Sequence, residues 1–478
     1  MTSISPQELV EHALAASTSD HCVAIVHDST SANLRWANNT LTTNGVMHSV
    51  TVTVVAFHRT AQGPGQGSGQ GSGQGSGQGT AVGSVSASAA STDEVDRIVE
   101  AADGAAQAGG PAEDAADLPT GDAAKDWFDP SGDTSIEVYA DFAPALGEAF
   151  GRATSDGRIL YGFVDHDVTT TYLGTSTGIR RRHVQPTGHY GCTAKPTDLS
   201  TSAWVGGATR DFSDVDAHAM DAELVQRLGW ARRRVGLPAG RYDTVLPPTA
   251  VSDLMIYAYW TASARDAHDG QTVFSKRGGG TRIGERLSDK PLQMYSDPAY
   301  PRLQAAPFVA TSSSNEIESV FDNGLPLART DWVKDGTLSA LLQSRYSARL
   351  TGQPLTPYVD NLVVEVDGAT GSTQDLVAGV ERGLLVTCLW YIREVDPQSL
   401  LLTGLTRDGV YLVEDGEVTG AVNNFRFNES PIDLMRRFSH ASATAPSFSR
   451  EWGDEFPRTA TPALRVPDFN MSTVSQAN

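Results

Sequence analysis

Cysteine is scarce: 478 residues contain three, Cys22, Cys192 and Cys388. Their odd number and wide spacing exclude a disulfide framework, and small buried hydrophobes are the ordinary role for such residues. Positive charge is also scarce, with 36 Lys and Arg against 57 Asp and Glu, a net charge of −21. Neutralising a phosphate backbone needs clustered cations, so nucleic acid is excluded as a partner. No segment approaches the ~20 continuous apolar residues that would cross a bilayer. No basic N-terminal stretch precedes an apolar run, so the chain reads as cytoplasmic, with neither secretory signal nor membrane anchor.

What is present fits two or three domains with sizeable cores. Pro6–Ser17 has the apolar spacing of a short amphipathic helix with proline at its start. Cys22–Val26 and Leu34–Thr42 read as strands joined by a turn at Asp28–Asn33, and Val46–His58 alternates as a strand. Residues 62–80, a Gly/Gln/Ser repeat with little side chain to bury, read as a flexible hairpin insertion before a strand at Ala81–Ala87. Asp93–Gln107 reads as a helix capped by Thr92 or Asp93.

From Asp93 to Glu148 fifteen acidic residues face two basic ones, Arg97 and Lys125, a balance of −13. Residues from about 102 to 126 therefore read as a loose acidic linker, part of a solvated, partly disordered surface. Phe142–Ala153 is expected to be helical, Leu160–Leu173 to be two strands bent at Asp165-His166-Asp167, Ile179–Gln185 a strand and Asp214–Arg234 a helix. Gly236-Leu-Pro-Ala-Gly240 divides an N-terminal α/β layer domain (1–235) from a β-rich C-terminal domain (241–478). In the latter, Leu362–Val366, Val410–Val413, Glu417–Phe427 and Ala463–Val466 read as strands and Ser430–Arg437 as a helix. The fold class is α+β, its second half mainly antiparallel.

Several constellations suggest chemistry, and each has a plainer account. Gly174-Thr-Ser-Thr-Gly178 matches G-x-S-x-G, but the following Ile179–Pro186 is β-like and contains proline, whereas a nucleophile elbow requires a helix there. His183, His189 and Cys192 lack zinc-ligand spacing and are better explained by a turn joining two strands. Asp165-His166-Asp167 is ordinary for a polar strand bend. The glycines of 278–284 lack both GxGxxG spacing and a P-loop lysine.

The stretch from Tyr242 to Leu350 is the most informative. It runs Tyr242-Asp-Thr-Val-Leu-Pro-Pro248, a helix-like segment from Thr249 to Asp266, then Asp269-Gly-Gln-Thr-Val-Phe-Ser-Lys276 and Gly278-Gly-Gly-Thr-Arg-Ile-Gly284. Tyr295-Ser-Asp-Pro298, Phe321-Asp-Asn-Gly-Leu-Pro326 and Trp332–Leu342 follow. With Glu381-Arg-Gly-Leu-Leu-Val386 and Val413-Glu-Asp-Gly-Glu-Val418, this succession resembles the TldD/PmbA (TldE) family of peptidase subunits. An ungapped alignment on Phe274-Ser275 puts Met255, Ile256 and Trp260 where catalytic members carry the His, Glu and His of HExxxH. A thioether, an alkyl chain and an indole can neither hold zinc nor move a proton as that triad does. Catalytic members also use a cysteine near the C-terminus, and none follows Cys388.

The resemblance therefore implies a PmbA/TldE-like subunit that carries no metal. Zinc and the proton-transfer Glu would come from a TldD-like partner in a heterodimer that processes small, unfolded or modified peptides. A non-proteolytic peptide-binding scaffold of the same fold, as a homodimer, is the alternative. Tyr257, Tyr259 and Trp260 on the would-be catalytic helix either fill space vacated by the metal or line a peptide channel or subunit contact.

Overall fold

The computed structural model describes residues 4–60 and 79–475. The insertion expected at 62–80 lies outside the described residues except for Gly79 and Thr80, which open a strand.

The N-terminal half is an antiparallel six-stranded sheet covered on one face by helices. Its elements are α1 (Pro6–Ala16), β1 (His21–Ala37), β2 (Thr40–Thr60), β3 (Gly79–Ser88), α2 (Thr92–Ala108), α3 (Phe142–Ser155), β4 (Arg158–Thr175), β5 (Arg180–Pro196), β6 (Ala203–Thr209) and α4 (Ala217–Trp230). The strand order is β3-β2-β1-β4-β5-β6. Serine holds the N-cap position of both early helices: Ser5 forms a capping box with Glu8, whereas Ser91, which precedes α2 in place of Thr92 or Asp93, makes no side-chain cap hydrogen bond.

Three expected interruptions in the sheet are absent. Asp28–Asn33 is the middle of one long strand, and the reversal falls at Asn38-Asn39, both at positive φ. Asp165–Asp167 continues β4 without a bend, and His183, His189 and Cys192 all lie within β5. These polar segments resemble turns because one sheet face is polar, so alternation rather than mean hydropathy marks them as strand.

The two faces separate by parity. Cys22, Ala24, Val26, Ala32, Leu34 and Trp36 of β1 point to the helices, forming cores with Val10, Val95 and Val99 at one end and with Phe142, Leu146 and Leu224 at the other. The odd-numbered residues face the C-terminal half. Val23 and Ile25 join Phe57, Leu173, Phe308 and Phe321 in an apolar contact between the halves, the Phe57 and Phe321 rings lying 5.0 Å apart.

The acidic segment after α2 is a strap rather than a loose linker. Glu113 accepts hydrogen bonds from Arg265 (2.9 Å) and Tyr346 (2.5 Å), Asp114 from Ser314 (2.5 Å) and Ser319 (2.6 Å), and the Asp117 carbonyl from Arg345 (3.0 Å). Its carboxylates read as solvated because their partners lie some 150–230 positions away in sequence.

The chain enters the C-terminal half at Arg234–Val235, which pairs with Glu417–Val422. Among the described residues, this half contains a sheet of ten strands and another of six, with both parallel and antiparallel pairs. The helix-like run from Thr249 breaks into α5 (Pro248–Trp260) and α6 (Ala264–His268), because Ser263 is extended and caps α6 by accepting from the Asp266 amide. The expected strand Glu417–Phe427 is likewise split at Asn423-Asn424. Proline at its first turn starts α5, which is apolar almost all round and so is buried among Gly240–Leu246, Pro431–Arg437 and Ala445–Thr461. No described helix is long and apolar enough to cross a membrane.

Candidate functional site

Two neighbouring places carry the candidate chemistry: the end of α5, and the cleft between the N-terminal sheet and the C-terminal loops.

On α5, Met255 and Ile256 are fully buried in the main core of the C-terminal half. Trp260 is half-buried against Trp452 (ring centroids 5.2 Å apart) and Phe456 (6.1 Å). Tyr257 packs edge-on to Trp452 at 5.6 Å and donates to the Ile392 carbonyl at 2.7 Å. Tyr259 is fully buried between Trp332, Tyr358 and Phe456. Its hydroxyl donates to the Val359 carbonyl (2.8 Å) and accepts from the Val359 amide (2.9 Å). The Val359 carbonyl also accepts from the Asn361 amide at 2.9 Å, so Tyr259→Phe should leave the buried Val359 amide unpaired and cost ~1–3 kcal/mol in chemical denaturation, with little change of shape.

The residues here do not fit a zinc ion. Among the described residues no three His, Cys, Asp or Glu side chains are placed to share a metal. The one acidic side chain of α5, Asp253, is buried and turned to the C-terminal segment, where its Oδ1 accepts from Ser449 Oγ (2.5 Å) and the Glu451 amide (3.0 Å). Its Oδ2 has no partner, and burial pushes its pKa up to about 7. Cys388 is enclosed, and burial raises its thiol to about 12, leaving it protonated at neutral pH. The cation beside it is a guanidinium: Arg450 touches Cys388 Sγ, pairs with Asp408 at 3.2 Å and lies over the rings of Trp204 (4.6 Å) and Trp390 (5.3 Å).

The cleft floor follows from strand register. His27, Thr171 and His183 lie opposite one another across β1, β4 and β5, and Ser29, Thr169 and Gln185 form the next row. Ser31, Asp167 and Thr187, then Asn33, Asp165 and His189, continue the polar face. Asp165 and Asp167 thus face the cleft. His166 points the other way into the helix-covered side, bonded to Thr134 Oγ1 (2.7 Å) and the Arg210 carbonyl (2.8 Å). His189 lies 3.6 Å from Asp165 and 3.3 Å from Asp454, stacked on Phe448. Burial raises both Asp165 and Asp167. Cys192 is on the opposite face, so the three candidate ligands of β5 do not converge.

Ser176 of the G-x-S-x-G match accepts from the Cys22 amide at 3.1 Å, the role of a turn residue. Gly278–Gly280 and Gly284 have positive φ, and the Lys276 amide donates to the Gly280 carbonyl, so they form a tight loop.

Above the first two rows lies a cavity of ≈ 300 Å³. Its roof includes Phe308, Val309, Glu318, Asp322, Tyr358 and Asp360. Tyr358 also stacks on Tyr259 at 5.4 Å, so the cavity borders the end of α5. Sequence spacing missed it because the residues come from three strands and two distant loops. The polar alternation of β4 and β5 was the signal available.

Residues 239–473 match the PmbA/TldA metallopeptidase C-terminal domain. No curated protein matches by sequence. TldE from Thermococcus kodakarensis has a similar fold, with TM-score 0.71 and 15% identity over 97% of this chain and 99% of that one. A Thermotoga maritima protein described as a candidate modulator of a DNA gyrase is similar at TM-score 0.73 and 16% identity, over 97% and 99%. A Bacteroides thetaiotaomicron protein described in the same terms matches at 0.72 and 13%, over 98% of each chain. The two comparisons agree: residues 239–473 form a PmbA/TldD-family C-terminal domain, and the whole chain shares the fold of these three proteins.

Proposed function

We propose that this chain is the metal-free, PmbA/TldE-like subunit of a two-subunit peptidase acting on small unfolded or modified peptides. Zinc and the proton-transfer Glu would reside in a TldD-like partner bearing HExxxH. One observation carries the reading: Met255 and Ile256 are sealed in the core and Trp260 is packed by aromatics, so hydrolysis through a metal on α5 has no ligands to use. In this assignment Met255, Ile256 and Trp260 fill the vacated metal position. The half-buried Tyr257 and Trp260 remain the residues of α5 that could meet a channel or partner, whereas Tyr259 has no free face.

The polar floor of the cleft supports a peptide-handling role, since neutral hydroxyls, amides and imidazoles bind backbone without demanding one sequence. Co-expression with an HExxxH-bearing relative tests the proposal. The expected outcome is a stable complex that cleaves an unfolded peptide, with no cleavage by this chain alone. A chain that forms only homodimers and binds peptide fully by itself would instead be a scaffold, and the peptidase reading would fail.

A further inference from the structure

We propose that the cavity between the sheet and the C-terminal loops binds the free amino terminus of a short apolar peptide. The choice of a peptide rests on the function proposed above; the recognition of an ammonium group rests on this cavity alone.

The floor offers hydrogen bonds without charge. Burial lowers the pKa of both His27 and His183, so both imidazoles are neutral at pH 7. Each uses one nitrogen internally: His27 Nδ1 bonds Thr171 Oγ1 at 3.0 Å, and His183 Nε2 bonds Gln185 Oε1 at 3.0 Å.

The roof carries three carboxylates, two of them neutralised. Arg345 donates to Asp322 at 2.6 Å and Arg458 pairs with Asp360. Glu318 lacks a cation among the described residues: its carboxyl group is influenced by Asn315 and by the negative charge of Asp360, and burial pushes it toward the protonated form. An uncompensated acid in a desolvated cavity is costly, and a ligand ammonium removes that cost by charge-assisted hydrogen bonding.

Phe308, Val309, Ile317 and Leu327 supply an apolar wall for the body behind that ammonium. The volume of ≈ 300 Å³ lies at the small end of ligand sites, which suits one or two residues and not a folded segment.

Calorimetric titration of the full chain, without any partner, tests this with Ala-Phe amide, N-acetyl-Ala-Phe amide and N-acetyl-lysine amide. Ala-Phe amide should bind at least ~10-fold more tightly than either acetylated compound. Glu318→Gln should reduce its affinity ~10-fold, leave the weak binding of N-acetyl-Ala-Phe amide unchanged and not lower the melting temperature, since it removes a costly buried acid. Equal affinity for the free and acetylated dipeptides, no binding of any at millimolar concentration, or indifference to Glu318→Gln would each overturn the proposal. Binding of N-acetyl-lysine amide as tight as that of the dipeptide would also do so, because the site would then read a side-chain ammonium. Cleavage by the two-subunit complex is a separate readout, so loss of this binding leaves the proposed function standing.

Discussion

Restoring the motif on α5 by M255H, I256E and W260H together is expected to unfold the chain rather than create a metal site. Ile256 is fully exposed to core side chains and to no water. A carboxylate there loses its hydration and finds no cation, and the lost apolar burial of Ile256 and Met255 adds ~1.5–3 kcal/mol for each side chain. Trp260→His also removes the ring that meets Tyr257, Trp452 and Phe456. The combined loss should exceed ~5 kcal/mol, comparable to the whole stability of many domains. Denaturant unfolding with metal analysis checks it. A folded triple variant holding one zinc per chain would mean that the helix is a dormant metal site rather than a repacked one.

The second large effect concerns pH. Asp253 has a folded pKa of about 7, raised by burial from the ordinary value of 3.8. Because the folded state binds this proton more tightly than the unfolded chain, the associated stability is present in full below about pH 4. It is then lost as pH rises to 7. The shift corresponds to on the order of 4 kcal/mol between those limits. Asp253→Asn keeps an acceptor for Ser449 and the Glu451 amide and carries no charge at any pH. The variant should match the parent below about pH 4, exceed it by several kcal/mol at pH 8, and lose most of the pH dependence. Urea titrations at several pH values measure this; parallel curves for the two proteins would place the carboxylate in its ionised form throughout.

Much of the architecture was legible in the residues. Helices α1, α2 and α3, the β2–β3 strands and the α5 segment follow from spacing, proline position and alternating Val and Thr. The errors share one cause. Asp28–Asn33, Asp165–Asp167 and His183–Cys192 carry polar side chains on the odd face of the sheet, the face that floors the cleft, so their composition imitates turns. The acidic strap was misread for a related reason, since Arg265, Ser314, Arg345 and Tyr346 are remote in sequence from Glu113, Asp114 and Asp117. At the site, Met255, Ile256 and Trp260 could be singled out by alignment alone. Their enclosure by Trp452 and Phe456, the isolation of Asp253 and the guanidinium of Arg450 beside Cys388 depend on a C-terminal segment nearly 200 residues away.

The central claim is that α5 of this chain supplies no hydrolytic metal. The most direct measurement is the zinc content of the purified chain, taken with cleavage of an unfolded peptide in the same preparation. Zinc well below one per chain and no cleavage, with activity gained on adding an HExxxH-bearing partner, is the expected result. One tightly held zinc per chain together with chelator-sensitive cleavage by the chain alone would contradict it.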